Sequence, residues 1–178
     1  MKAKYLIIIL CFFISCSDKK ENTYPISESL NYAQGEVIVG LKDSVSLEEV
    51  ADYIYSLNNI SINDIVSFQY ISNLPKDSMQ VIIKTLESKS YIWKGNPITP
   101  YLNSDSLIQI ELWVRNFRFE DIEDWKLLKK RFQLSHIPYY FQLGLLNVEA
   151  GKEQEWVNIL SESKLFRLVE LNTISHIN

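Results

Sequence analysis

From Leu107 to Asn116 apolar and polar side chains alternate without a break. Ile108, Ile110, Leu112 and Val114 share one face, and Gln109, Glu111, Trp113 and Arg115 share the other. That two-residue period predicts a strand covered on one side only. Elsewhere the apolar positions recur at helical spacing. Leu47, Val50, Ala51, Ile54 and Leu57 fall on one face, behind a capping box of Ser46 and Glu49 and a staple of Val45 against Val50. Met79, Ile82, Ile83 and Leu86 stand at i, i+3, i+4 and i+7 and predict a helix over 75–88. Phe119 to Gln133 predicts a third helix with Ile122, Trp125, Leu128 and Phe132 inward. Its acids Glu120, Asp121, Glu123 and Asp124 come early and Lys126, Lys129, Lys130 and Arg131 late, the order that opposes the helix dipole. A fourth helix over 152–163 carries Trp156, Ile159 and Leu160.

Short β-rich runs fill the gaps. Glu36 to Lys42 (EVIVGLK) is a strand bounded by Gly35 and Asp43, and Ile60 to Asn73 reads as two strands turned at Ser67. Ser90 to Trp93, a pair over 137–141 and 143–149 around Gln142, and Leu165 to Leu171 complete the set. Gly95, Pro97, Pro100, Asn103 and Ser104 mark 95–106 as a linker. The order strand, helix, strand, strand, helix, strand therefore occurs twice, over 35–94 and 107–178. Asn73 and Asn147 occupy matching places in the two halves, which otherwise share element order and little identity. The expected class is α+β: two tandem ferredoxin-like (βαββαβ) units, each an antiparallel sheet with two helices on one face. Units of about 60 to 70 residues bury marginal area, so the two are expected to support each other.

The amino terminus has a different pattern. Lys2 and Lys4 precede the apolar run Tyr5 to Ile14, which ends at Ser15-Cys16 and gives way to Ser17-Asp18-Lys19-Lys20-Glu21. This predicts a cleaved signal peptide over 1–15, since the run is shorter than the roughly 20 apolar residues that span a bilayer. Residues 16–34, mostly polar and without a period, are expected to be a tether. Cleavage removes two lysines and no acid, taking the formal charge from −4 to −6. Such a chain has no basic surplus to drive nucleic-acid binding, and an anionic membrane surface repels it mildly. Cys11 leaves with the leader, so Cys16 is the one remaining cysteine. With 47% hydrophobic residues and only five Gly and five Pro, the body is expected to hold together through its core.

Ile14-Ser15-Cys16 resembles the end of the lipobox of bacterial lipoproteins, with Phe13 where Leu is usual. The resemblance implies a diacylglyceryl group on the Cys16 sulfur and an acylated new amino terminus, a palmitate-type lipid anchor of two or three chains that binds durably. Lipid would then take up the last thiol. The implied location is a bacterial membrane, outer membrane or cell surface, with the body in the cell envelope.

Catalytic signals are few. His136 and His176, forty residues apart, lack a third ligand or orienting partner in the sequence, and the acids at 120–124 are accounted for by the helix start. No phosphate-binding, dinucleotide, nucleophile-elbow or zincin motif occurs, so no metal, cofactor or enzyme activity is expected. Gly144 to Asn172 (GLLNVEAGKEQEWVNILSESKLFRLVELN) resembles the end of subtilisin-propeptide-like inhibitor domains, and Glu36 to Leu41 (EVIVGL) their opening strand. Together with the leader, the chain is similar to small surface lipoproteins of Bacteroidota-type bacteria. The resemblance implies a non-catalytic protein-binding module, in its narrower form a protease inhibitor with Asn172 to Asn178 as the reaching tail. The candidate interface is Gln109, Glu111, Trp113 and Arg115, because Trp and Arg are common interface anchors. Two alternatives are a structural envelope role, with this face buried by the other half, and sugar contact through Trp93, Tyr101, Trp113 and Tyr139.

Overall fold

The computed structural model describes residues 32–96, 98 and 100–173. The expected signal peptide, Cys16 and His176 lie outside them. The boundary expected at residue 34 falls inside the first strand, β1 (Tyr32–Leu41). Val37, Val39 and Leu41 of β1 are fully buried. Gly35 has φ +76° and sits where the register shifts between the Tyr32↔Thr173 and Val37↔Leu171 pairs, a bulge that its missing Cβ makes inexpensive.

Helix α1 (Leu47–Ser56) starts as its sequence predicts. The Glu49 amide donates to Ser46 Oγ (3.3 Å) and the Ser46 amide to Glu49 Oε2 (2.8 Å). That backbone hydrogen bond holds the Glu49 carboxyl below its ordinary pKa. Leu47, Val50, Ala51 and Ile54 have no exposed surface. Next comes β2 (Ser61–Ser72), one continuous strand of 12 residues where a turn was expected. Ser67 does take the positive φ of a turn residue, 65°, but it forms a bulge in a strand that keeps its direction.

After a 3-10 turn at Lys76–Ser78, α2 (Met79–Glu87) buries Ile82 and Leu86. Ser90 to Trp93 makes only a single bridge, Ile92↔Val114. Inside the predicted linker, β3 (Tyr101–Leu102) pairs with β4 (Ile108–Arg115), whose burial alternates as its sequence does. Helix α3 (Asp121–Phe132) buries Ile122, Trp125, Leu128 and Phe132. Then follow β5 (Leu134–Ile137), β6 (Leu143–Asn147), α4 (Glu153–Ser161) and β7 (Phe166–Thr173).

All seven strands belong to one antiparallel sheet in the order β3-β4-β2-β6-β1-β7, with β5 also on β2. The two separate sheets of the tandem expectation are absent among the described residues. β6 pairs with Ser61–Val66 of β2 and β5 with Gln69–Ser72, so β5 and β6 follow one another along the same edge of β2 and do not form the expected pair. Residues 32–66 and 143–173 thus supply the row β7-β1-β6-β2. The contiguous segment 68–137 supplies the other row, from Ile92 through β4 and β2 to β5. The buried faces of helices and strands merge into a single core cluster. The opposite face of the sheet, bearing Ile38, Asp64, Glu111, Trp113 and Leu145, has no helix over it among the described residues.

Candidate functional site

The polar face of β4 is ordered by side chains from the neighbouring strand. Glu111 accepts three donors: Ser67 Oγ at 3.0 Å, Trp113 Nε1 at 2.9 Å and Gln69 Nε2 at 3.1 Å. Gln69 Oε1 in turn accepts from Gln109 Nε2 at 3.2 Å. Asp64 takes Arg115 in a two-pronged ion pair, Nε to Oδ1 at 2.7 Å and the terminal nitrogen to Oδ2 at 3.1 Å. The Trp93 amide donates to the Trp113 carbonyl, and the two indoles stack with centroids 5.0 Å apart and planes within 10°. The Arg115 guanidinium lies 4.7 Å from the Trp93 ring centre, within cation-π range.

All four predicted interface residues therefore lie side by side, each half-buried. Among the described residues no helix or second sheet covers them, as the structural alternative required; their burial comes from one another, from Trp93 and from Asp64, Ser67 and Gln69 of β2. Asp64, Ser67 and Gln69 were not singled out from sequence. The carbohydrate set divides. Trp93 and Trp113 are stacked, while Tyr139 donates its amide to Asp43 just beyond β1, a strand separated from β4 by two others in the sheet. Fixed rings and a saturated carboxylate give a preorganised contact surface, for which little side-chain entropy is left to lose on binding.

The other sequence candidates have local explanations. Glu120 pairs with Arg118 (2.9 Å), and Glu123 with Lys126 (2.8 Å). Asp121 accepts from the Arg118 amide (2.9 Å). Asp124 accepts from Lys89 (2.6 Å) and Tyr91 (2.7 Å). Burial raises the Asp124 carboxyl pKa, but those two hydrogen bonds outweigh it and leave it lowered. Among the described residues no group of three or more His, Cys, Asp or Glu is placed to hold a metal ion, and no helix is long and apolar enough to cross a membrane.

His136 is half-buried against Phe68 (5.8 Å) and Tyr70 (5.6 Å), with its Nε2 2.8 Å from Gln142 Nε2. Which group donates in this contact follows the imidazole tautomer. Burial lowers its pKa first and the Lys129 charge second, against weaker support for the cation from Glu48 and Glu49. The fold therefore binds fewer protons here than the unfolded chain. Stability is full above the ordinary imidazole pKa of about 6.5 and falls as the pH drops below it. Melting temperatures at pH 7.5 and 5.5 should show this loss, and His136→Gln should remove most of it. An unchanged difference in the variant would assign the loss to other groups.

The comparisons with known proteins add no relative to this picture: no family model matches the chain, and no curated protein or solved structure matches it significantly.

Proposed function

We propose that the protein is a lipid-anchored lipoprotein of the bacterial envelope, held through Cys16, whose folded body is a non-catalytic protein-binding module. The observation that carries this reading is the ordered aromatic and polar strip of Trp93, Trp113, Glu111 and Arg115 on an uncovered sheet face. Trp and Arg are the residues most enriched among binding hot spots. In fold terms, we read each row as a ferredoxin-like unit, the second being β4, β2 and β5 with the single Ile92 bridge in place of a fourth strand. The unit built from 68–137 is nested in the one built from 32–66 and 143–173, in place of two units in tandem. The narrower inhibitor reading has less to draw on, because β7 takes up Asn172 and Thr173 of the supposed tail.

One experiment in cells tests anchor and surface together. A photo-crosslinking amino acid replacing Trp113 should give a discrete protein adduct in the membrane fraction. In the Cys16→Ser background the protein should move to the aqueous phase on detergent partitioning, with the adduct reduced. Unchanged partitioning would remove the anchor. No adduct at Trp113 or at the neighbouring Gln109 would remove the binding strip.

A further inference from the structure

We propose that the apolar half of the open sheet face is a docking groove for a basic amphipathic segment of the partner protein, a refinement that rests on the binding-module reading. Strand register places its residues in transverse rows. One row runs Glu170, Ile38, Leu145, Asp64, Arg115 across five strands. The next runs Leu168, Gly40, Leu143, Val66. Between Asp64 and Asn172 these rows enclose a shallow cavity of about 240 Å³ floored by Ile38, Val66, Leu143 and Leu145. Leu143 and Leu168 remain 42% and 38% exposed. A contiguous apolar surface of this kind marks an interaction site more often than scattered leucines do.

At the far end of the groove the Arg167 guanidinium closes over Gly40, where a Cβ would lie 3.1 Å from both Arg167 Cζ and Leu168 Cβ. Charge then selects the occupant. On the β1/β7 side Glu36 meets only the Asn172 amide (2.5 Å), and Glu170 has no ion-pair partner among the described residues. On the other side the charge of Asp64 is matched by Arg115. Glu36, Glu170 and Asp64 against Arg115 and Arg167 leave the rim one net negative charge, with its free acids at the Glu36 and Glu170 end and a cation at the Gly40 end. A second copy of this chain would set acid against acid, whereas a segment with lysines or arginines flanking apolar side chains fits both features. Glu36 and Ile38 are spaced two residues apart, about 6.5 Å. The bound segment therefore places a cation about 6.5 Å from the apolar side chain seated over Ile38.

The test titrates the isotopically labelled full chain with a Leu/Lys amphipathic helical peptide and with its Leu/Glu counterpart. Backbone amide shifts give the location and affinity of binding. The Leu/Lys peptide should move the amides of Ile38, Leu145 and Glu170, and the Leu/Glu peptide should not. Glu36→Lys with Glu170→Lys should weaken binding at least about tenfold. An equal charge change on α4, Glu155→Lys with Glu162→Lys, should not weaken it. No shift with the Leu/Lys peptide, equal shifts with both peptides, insensitivity to the rim reversal, or self-association abolished by Leu143→Lys would each overturn the proposal. An adduct at Trp113 combined with a silent groove would remove the groove alone, and the reverse would remove the Trp strip alone.

Discussion

Leu160→Ala is expected to cost about 2–5 kcal/mol and to loosen the chain unevenly. Leu160 is fully buried on α4, the helix packed against β7 and β1. If the units are nested, native-state hydrogen exchange in the variant should accelerate over 32–66 and 143–173, two segments separated in sequence by some seventy residues. Amides of α2, α3 and β4 should keep more of their protection. Trp125→Ala is the reciprocal change, at about 3–5 kcal/mol. Trp125 lies edge-on against Tyr70 (5.1 Å), so its loss should act first on 68–137. A boundary at 95–106 in either variant would restore the tandem organisation. Uniform acceleration in both would mean a single cooperative body.

Glu153→Ala should be the most costly polar substitution, at roughly 2–4 kcal/mol. The side chain is 1% exposed and ties together two distant parts of the chain. Its Oε1 accepts from the Gly35 amide at 2.6 Å, and both oxygens accept from the Gly151 amide at 3.0 Å. Alanine leaves those donors in a site closed to water and releases the bulge of β1 from the start of α4. Burial raises the Glu153 carboxyl pKa, but the amide donors outweigh it and leave it lowered. The ionised form is thus favoured in the fold. Its contribution is complete above the ordinary carboxyl pKa of about 4.5 and is lost as the pH falls through the lowered value. Urea unfolding at pH 7 and pH 4 should therefore show a smaller acid-induced loss in the variant than in the parent. An identical loss would place the acid sensitivity on His136 and on Glu49 and Asp124, the other described carboxylates with lowered pKa.

The local elements were legible because their burial is one-sided. β4, α1 and α3 each show a period, and each buries the predicted face. Ser67 was legible only in part. A hairpin turn and a strand bulge both place one residue at positive φ, and nothing near Ser67 in sequence tells which follows. The deciding contact is distant: β6 pairs with β2 before the bulge and β5 after it, from residues more than sixty positions downstream. For the same reason the order of elements suggested two neighbouring units, while the pairings interleave the halves. The candidate strip behaved similarly. Alternation in β4 identified Gln109, Glu111, Trp113 and Arg115, but Ser67, Gln69 and Asp64 reach them across separations of 40 to 51 residues. The apolar half of the face had no sequence signature, since Ile38, Val66, Leu143 and Leu168 are single positions in four different strands.

The Tyr32↔Thr173 pair brings the start of the first strand beside the finish of the last. Both described ends of the folded body then emerge at one corner, the one from which a lipid anchor at Cys16 would be reached. With such an anchor, a fluorescent or affinity tag at the carboxyl terminus would sit on the anchored side and report poorly on what the outer tip meets. β1 carries the chain about 33 Å from that corner, to where exposed Tyr140 and Phe141 stand beside Arg167. An epitope inserted there would give antibodies access from outside while leaving the anchoring end undisturbed.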